Sequence, residues 1–267
     1  GRGQRPAELF REHRRIERPR LRAPHRGAQP LDGLDIGADA SPELADLDGD
    51  GDLDVAIGTL DGRVRFLANT GSSLTPAFFE LTGALSAFDG VDVGDDGTPE
   101  LIDLDGDGDL DAILGNLEGV VAFFENSGAS TAPLFVEVTG PGKPFAGVDL
   151  GANSHPELID LDGDDDFDAI FGEAGGGLAY FHNTGTPTGP FFLERTGAAN
   201  PFDGVDVGRY TAPQLADLDG DGDLDALVGE SGGRLVFFRS LASLVPTLPF
   251  ADGFESGDTS AWSAAVP

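Results

Sequence analysis

A repeat of 57 residues constrains this chain more than any other feature. Four acidic stretches read DLDGDGDLDV, DLDGDGDLDA, DLDGDDDFDA and DLDGDGDLDA, and each begins 57 residues after the one before. Other positions keep the same spacing, including a proline four residues before each stretch and a glycine twelve residues after its first aspartate. A fixed period of this length indicates one structural unit built four times in succession. The first residues of the stretches are Asp46, Asp103, Asp160 and Asp217.

Each repeat contains four short segments with the composition of β-strands. In the second repeat they read PELID, DAILG, GVVAFFEN and PLFVEVT, and turn-forming Gly, Asn, Pro and Asp residues separate them. Four strands in a unit of this size are typical of a propeller blade. We therefore predict an all-β protein: a four-bladed β-propeller-like repeat domain, with about four antiparallel strands per repeat and an extended N-terminal arm.

The repeats divide the chain into three parts. We expect a basic N-terminal arm, extended and available for contact with another subunit, then the repeat domain, then a C-terminal tail. The arm covers residues 1–29, the repeats cover about 30–86, 87–143, 144–200 and 201–250, and the tail covers 251–267.

Both ends of the repeat domain carry a segment related to the connection between blades. PLDGLDIG (30–37) matches PFDGVDVG (201–208), and PFADGFESG (249–257) resembles it again. We therefore expect a fourth-strand equivalent at each end, with Pro19–Arg26 in that position before the first blade. Because a closed four-bladed ring needs one of them, the spare is either a disordered or capping segment or a strand that pairs with another subunit.

The charge is divided unevenly between the arm and the rest of the chain. The formal net charge is −32, yet residues 1–26 hold nine Arg and three Glu. A strongly acidic body disfavours binding to nucleic acid and to anionic membranes. No apolar run approaches the ~20 residues that a membrane-spanning helix needs. We expect neither nucleic acid as a partner nor a membrane span.

The chain contains no cysteine and no methionine. The absence of cysteine excludes a disulfide framework and thiol chemistry. The absence of methionine leads us to expect a processed product of an exported precursor. The C-terminal FADGFESGDTSAWSAAVP resembles a short tail found at the ends of secreted bacterial proteins. We therefore expect an extracellular or cell-surface protein of bacterial origin.

The acidic stretches place oxygen ligands at a spacing that suits a hard cation. Counted from the first aspartate, carboxylates stand at positions 1, 3, 5, 7 and 9, with Gly at position 6 in three of the four stretches. Ca²⁺ takes six to eight oxygen ligands, whereas Mg²⁺ prefers tight octahedral sites and transition metals prefer His or Cys. Solvated turns without a metal are the alternative. An EF-hand is excluded because its bidentate Glu at position 12 is replaced by Ile57, Leu114, Phe171 and Val228.

The motif DxDGDGDxD, followed by DAILG and GVVAFFEN, resembles the FG-GAP/VCBS repeats of integrin-like β-propellers. The resemblance covers about residues 30–250 and recurs four times in register. It implies about four Ca²⁺ ions, one in each hairpin loop, with acidic ligands at positions 1, 3, 5 and 9 and a backbone oxygen at position 7. The implied ligand residues are Asp46, Asp48, Asp50, Asp52 and Asp54; Asp103, Asp105, Asp107, Asp109 and Asp111; Asp160, Asp162, Asp164, Asp166 and Asp168; and Asp217, Asp219, Asp221, Asp223 and Asp225.

The chain departs from that family pattern in two places. Asp165 stands at position 6 of the third stretch, where the others have Gly. Because aspartate adopts a left-handed backbone conformation at some cost, we expect the third site to bind calcium most weakly. The integrin-type propellers also have more blades than the four repeats present here.

A second set of aspartates recurs outside the acidic stretches, in the sequences LDIG, VDVG, VDLG and VDVG. We expect these residues to cap turns or to support the loops, and a second ligand set is the alternative. They are Asp35, Asp92, Asp149 and Asp206.

The sequence contains no recognisable catalytic motif. None of the four histidines follows the repeat, and we expect His155 and His182 to lie on the surface. Neither a serine nucleophile motif nor a phosphate-binding glycine loop is present. We expect no enzymatic activity, and we assign no catalytic or cofactor-binding residue.

These features predict an extracellular, calcium-stabilised structural or adhesive β-propeller. A basic arm on an acidic body suggests self-association head to tail into filaments through the arm. Other extracellular proteins and polysaccharides are the further partners that we expect. The alternative is a lectin- or receptor-like ligand-binding module of a secreted protein, although Trp262 and two tyrosines offer few rings for stacking on a sugar.

Overall fold

The computed structural model describes residues 29–140 and 143–240, together with the backbone of a strand at Trp262–Ala265. The described residues form four antiparallel sheets of four strands each, which confirms the predicted all-β, four-bladed β-propeller. The basic arm predicted for residues 1–29, including Pro19–Arg26, lies almost entirely outside the described residues.

The strands are numbered in chain order, and each blade takes four consecutive strands. Blade one comprises β1 (Ser41–Ala45), β2 (Asp54–Gly58), β3 (Val64–Asn69) and β4 (Phe78–Leu81). Blade two comprises β5 (Thr98–Ile102), β6 (Asp111–Gly115), β7 (Val121–Asn126) and β8 (Phe135–Glu137). Blade three comprises β9 (Ser154–Ile159), β10 (Asp168–Glu173), β11 (Leu178–Asn183) and β12 (Phe192–Arg195). Blade four comprises β13 (Ala212–Ala216), β14 (Asp225–Gly229), β15 (Leu235–Ser240) and β16 (Trp262–Ala265). Short 3₁₀ turns span Gly83–Leu85 and Gly197–Ala199.

The second strand of a blade is covered on both faces. Every residue of β2 and β6 is buried. A strand with buried faces on both sides is expected to read as a continuous apolar run rather than as an alternation, and DVAIG and DAILG do so after their first residue. The blades therefore stack face to face, and the hydrophobic core lies between them.

Three core clusters fill the junctions between consecutive blades. In the first, Phe66 of blade one packs with Leu114 of blade two and with Phe88 of the connecting segment. Phe88 also stacks on Phe135 of β8 with ring centroids 4.5 Å apart. At the second junction, Phe145 stacks on Phe192 at 4.4 Å in the same way. The connection between two blades is thus part of the core that joins them.

The blades follow one another in order, and a seam separates the last from the first. The innermost strands pack in the sequence β1 with β5, β5 with β9, and β9 with β13. Among the described residues, β13 and β1 do not form the corresponding packed pair. We call this place, between blade four and blade one, the seam.

A carboxyl group recurs on the innermost strands, a feature that the sequence analysis did not single out. Glu43, Glu100 and Glu157 occupy the same repeat position, and Gln214 replaces glutamate in blade four. The Gln214 Nε2 donates to both carboxylate oxygens of Glu157 at 2.9 and 2.8 Å. The Leu158 amide donates to the Glu100 Oε1 at 3.3 Å. These groups join β5 to β9 and β9 to β13.

The fourth sheet extends past residue 250, where we expected the repeat domain to end. Its fourth strand, Trp262–Ala265, comes from the segment that we expected to be a separate tail, and it pairs with β15. Our predicted boundary followed the likeness of 249–257 to a connection between blades. That likeness says where a connection lies, but it does not show which later segment completes the sheet.

Candidate metal centre

Each acidic stretch forms the loop between the first two strands of its blade. In blade one the loop runs from Asp46 to the start of β2, and the flanking residues Ala45 and Asp54 are paired in antiparallel register. Strands rather than helices flank the loop, as predicted. The glycines at positions 4 and 6 have positive φ, which lets the chain turn sharply. In the third loop Asp165 takes this conformation at φ 69°, as we expected, and its effect on affinity stays a prediction.

The loops bring carboxylates together, and the grouping differs between blades. Ligand atoms within 4.8 Å of one another come from three carboxylates in loops one, two and four, and from two carboxylates and a histidine in loop three. The clusters are Asp46, Asp48 and Asp50; Asp103, Asp105 and Asp107; Asp162, Asp164 and His182; and Asp217, Asp219 and Asp225.

The carboxylate at position 1 organises its loop and still has an oxygen to offer. In loop one the Gly51 amide donates to the Asp46 Oδ2 at 3.0 Å. The other oxygen, Oδ1, is buried and has no hydrogen-bond partner within the described part of the chain. A buried carboxylate oxygen without a partner is costly unless a ligand satisfies it. Loop one therefore holds an unsatisfied acceptor within its carboxylate cluster.

This donor set fits Ca²⁺. Oxygens that surround one ion at 2.3–2.6 Å lie at most about 5 Å apart, which matches the observed spacing of the ligand atoms. Asp46, Asp48 and Asp50 would hold the ion in loop one, and Asp103, Asp105 and Asp107 would do so in loop two. In loops three and four the clusters differ, and Asp162 with Asp164 and Asp217 with Asp219 would contribute. When bound, the cation would replace carboxylate repulsion with attraction and would hold the hairpin closed.

The aspartates at position 9 have a structural role. The Asp54 carboxylate accepts the Leu47 amide at 3.0 Å and the Asn69 amide at 2.7 Å, so it joins the loop to β3. Asp111 and Asp225 repeat this arrangement. Asp168 accepts the Asn183 amide at 2.7 Å and, in place of a loop amide, the Tyr180 hydroxyl at 2.9 Å. Asp225 alone of the four also joins a carboxylate cluster. At position 7, Asp52, Asp109, Asp166 and Asp223 lie outside the four clusters, as do Asp160 and Asp221.

Burial raises the pKa of three of these position-9 carboxyls, those of Asp54, Asp111 and Asp168. Desolvation raises the pKa of Asp111 to about 6 and that of Asp168 to about 7, although the amide of Asn126 or Asn183 opposes the shift. A bound cation nearby would lower both pKa values, since opposite charge favours the ionised form. Proton and metal therefore compete at these loops.

The second recurring set of aspartates caps turns, as predicted. The carboxylate of each residue accepts the amide of the glycine two positions later, at 2.8 to 3.1 Å. None of them belongs to a ligand cluster among the described residues. The four residues are Asp35, Asp92, Asp149 and Asp206.

One position of the third strand distinguishes the four loops. It holds Ala68, Glu125, His182 and Arg239 in successive blades. The His182 Nε2 lies 3.2 Å from the Asp162 Oδ2, and its Nδ1 contacts Arg195 at 2.9 Å. The expectation that His182 lies on the surface is wrong, because its side chain is half-buried against loop three.

Arg239 places a fixed positive charge in loop four. Its Nε lies 2.6 Å from the Asp219 Oδ2, and its Nη2 lies 2.9 Å from the Asp221 Oδ2. The guanidinium occupies carboxylates that would otherwise face a metal. Loop four therefore needs a cation less than loop one does.

Replacement of Arg239 by alanine is expected to strengthen calcium binding in loop four. Because the internal cation no longer competes, the dissociation constant of the loop-four site should fall about three- to tenfold. A calcium titration of the full chain, fitted with separate site classes, measures this. Arg234→Ala, in the neighbouring turn, is the matched control and should leave the constants unchanged. An unchanged or weaker site in Arg239→Ala would contradict the competition.

Comparisons with known proteins identify no family for this chain and give only weak structural similarities. No family model matches the chain, and no curated protein matches it. Among solved structures the chain is similar to a lectin of Agrocybe aegerita that is described as recognising non-reducing terminal N-acetylglucosamine. The two share 21% sequence identity with a TM-score of 0.45, and the match covers 85% of this chain and 52% of the lectin chain. The chain is also similar to BBS1N in complex with ARL6DN, with 11% identity, a TM-score of 0.39, and coverage of 78% and 55%. The chain spans about half the length of these neighbours, and similarities of this size carry no functional argument.

The described residues contain no helix that is both long and apolar enough to cross a membrane.

Proposed function

We propose that this protein is a calcium-stabilised extracellular β-propeller module with a structural or adhesive role, and that it is not an enzyme. The observation that carries the proposal is the set of four hairpin loops, each with a compact cluster of side chains that could ligate a metal. The buried, unpartnered Oδ1 of Asp46 supports a ligand in the first of them. The likeness of the loops to FG-GAP/VCBS repeats supports the same proposal.

The calcium concentration around the module would determine whether it is rigid. A ligand that binds the folded state alone stabilises it by mass action. Loops of this kind would be loose at the low calcium concentrations inside cells and firm at the millimolar concentrations outside. The uneven charge of this chain, with a basic stretch beside an acidic body, favours head-to-tail assembly through the arm; the arm residues lie almost entirely outside the described part of the chain.

Calorimetric titration of the chelator-treated full chain with Ca²⁺ tests the metal proposal. We expect saturation at about four ions per chain, with weaker binding of Mg²⁺ because these loops do not impose tight octahedral geometry. Asp46→Asn together with Asp48→Asn should remove one ion. Absence of binding at millimolar Ca²⁺ would overturn the proposal.

A ligand-binding role is the second candidate, and a cleft on blade one favours it. The cleft has a volume of about 660 Å³ and is lined by Thr59, Asp61, Arg63, Arg65 and Glu80, among others. The Arg65 Nη2 and the Glu80 Oε2 are 2.6 Å apart, so the cleft presents a pre-organised ion pair. Specific binding to a glycan array that is lost in Arg65→Ala would support this role over a purely structural one.

A further inference from the structure

The three junctions between blades share one pattern of main-chain hydrogen bonds. At each junction three amides of the segment entering a blade donate to three carbonyls of the β2–β3 type turn in the preceding blade. At the first junction the donor–acceptor pairs are Val93–Gly62 (3.0 Å), Asp96–Leu60 (3.0 Å) and Gly97–Thr59 (3.1 Å). At the second they are Leu150–Gly119 (3.0 Å), Asn153–Leu117 (2.7 Å) and Ser154–Asn116 (2.9 Å). At the third they are Val207–Gly176 (3.1 Å), Tyr210–Ala174 (3.3 Å) and Thr211–Glu173 (3.2 Å).

The donor half of a fourth such junction precedes blade one. The equivalent amides belong to Ile36, Asp39 and Ala40, and none of them has an acceptor among the described residues. Asp39 nevertheless takes the left-handed conformation, at φ 53°, that Asp96, Asn153 and Tyr210 take inside the junctions. Such a conformation is strained for a residue other than glycine. The segment before blade one therefore has the shape of a docked connection without its partner.

The acceptor half of the same junction ends blade four. There the equivalent carbonyls belong to Glu230, Ser231 and Gly233, and the strand before them ends at Gly229. At Gly58, Gly115 and Gly172, a Cβ would meet a carbonyl oxygen of the next blade at 1.8, 1.9 and 1.9 Å. At Gly229 the nearest atom to such a Cβ is the Leu235 Cδ2, at 3.6 Å. Blade four thus ends in a junction surface that meets no next blade among the described residues.

The side chains on both halves are exposed where their equivalents are buried. On the front face of blade four, which points away from blade three, Leu235 is 68% exposed and Leu218 is 53% exposed. On the rear face of blade one, Leu44 is 57% exposed. Exposed leucines grouped on one face mark an interaction site more often than scattered ones do. Their buried equivalents are Val64, Val121 and Leu178 for Leu235; Leu47, Leu104 and Leu161 for Leu218; and Leu101, Leu158 and Leu215 for Leu44.

We propose that the front face of blade four binds the rear face of blade one in a second copy of this chain. The two faces are the halves of a junction that the molecule already forms three times. The seam keeps them apart within one chain, since β13 and β1 do not pack. A second copy can bring them together with the hydrogen bonds and apolar contacts of the internal junctions.

The contact is heterologous, because each copy offers a different face to its neighbour. Such contacts close into a ring when the rotation between copies permits, and otherwise they continue as a filament. Arg65 lies on the rear face of blade one, where it donates to the Glu80 carboxylate and to the Asp35 carbonyl. The same repeat position holds the smaller residues Ala122, Ala179 and Val236 in the internal junctions. The fourth junction is therefore more polar than the others, and association is reversible. This inference rests on the junction geometry and not on the calcium loops or the arm.

Light scattering of the full chain in Ca²⁺, with Leu235→Glu and Leu44→Glu variants, tests the proposal. The wild-type mass should rise with concentration, and each variant alone should stay monomeric because a charge buried in the contact is costly. Leu235→Glu keeps an intact rear face on blade one, and Leu44→Glu keeps an intact front face on blade four. An equal mixture of the two variants should therefore form dimers and nothing larger. Leu74→Glu, at an exposed site outside both faces, is the control and should associate like the wild type.

Circular dichroism should show that all three variants fold, since the substituted leucines are exposed. A wild-type chain that stays monomeric at about 100 µM overturns the proposal. Variants that associate like the wild type, or a mixture that stays monomeric, overturn it equally. Protection of the Ile36, Asp39 and Ala40 amides from hydrogen exchange in a monomer would show that a segment of the same chain completes the junction instead.

Discussion

Chelation of Ca²⁺ is expected to lower the thermal unfolding midpoint of this protein by about 20 °C or more. Each site at a hundredfold excess of ligand over its dissociation constant adds about 2.7 kcal/mol, so four sites together add about 10 kcal/mol. Without the ion, the clustered carboxylates of each loop repel one another and favour its opening. Scanning calorimetry in millimolar Ca²⁺ and in excess chelator measures the difference.

A single-loop variant shows whether the effect comes from the acidic loops. Asp103→Asn weakens loop two and should remove about a quarter of the shift. Asp149→Asn removes a turn-capping carboxylate that accepts the Gly151 amide and lies outside the clusters. It should lower stability equally with and without Ca²⁺. A midpoint that does not change on chelation in the wild type would show that the loops are folded without a metal.

The repeat made the fold predictable before any coordinate was known. Residues at a constant spacing occupy equivalent places in each repeat. The four strands assigned in the second repeat, PELID, DAILG, GVVAFFEN and PLFVEVT, therefore predicted the strands of every blade. The loop positions followed from turn chemistry, since a left-handed position admits Gly or, at some cost, Asp. Asp165 shows this directly, with a φ of 69° in the place of a glycine.

The features that sequence reasoning missed depend on pairing between strands. His182 and Arg239 stand 20 and 18 residues after the carboxylates they reach, Asp162 and Asp221. Their contact requires the register of the hairpin that follows the loop. The repeat itself carried a usable signal, because Ala68, Glu125, His182 and Arg239 share one position whose chemistry changes from blade to blade.

The structural role of the position-9 aspartates was also not predicted from the sequence, for a similar reason. A carboxylate such as Asp54 could face the ion or the backbone, and the spacing within the loop does not decide between them. The structure assigns both of its oxygens to amides, because the loop and β3 would otherwise leave donors unpaired. Satisfying backbone groups in a buried turn takes precedence over adding one more ligand.

Replacement of Glu100 by glutamine is expected to stabilise the protein by about 2–4 kcal/mol near pH 8. Burial, with Glu157 and Glu43 nearby, raises the pKa of Glu100 to about 9 from its ordinary value of 4.5. In the unfolded chain the same group ionises near 4.5. Stability from Glu100 is therefore complete below pH 4.5 and is lost as the pH rises to about 9. Glutamine cannot ionise, so the variant escapes this loss.

Blade four already contains the substituted side chain. Gln214 occupies the equivalent position and donates to the Glu157 carboxylate, so an amide fits among these strands. Burial also raises the pKa values of Glu43 and Glu157 to about 7. These two carboxyls therefore still make the protein less stable as the pH rises, and Glu100→Gln removes only part of the loss of stability.

Urea unfolding of wild type and Glu100→Gln between pH 5 and 9, at constant Ca²⁺, measures the effect. The two proteins should be similar in stability at pH 5 and should diverge as the pH rises, with the variant falling less steeply. Glu137→Gln, at an exposed site of β8, is the matched control and should follow the wild type. Equal slopes for wild type and Glu100→Gln would mean that Glu100 ionises in the folded protein as readily as in the unfolded chain. Neutral carboxyls on the innermost strands would then play no part in holding the blades together.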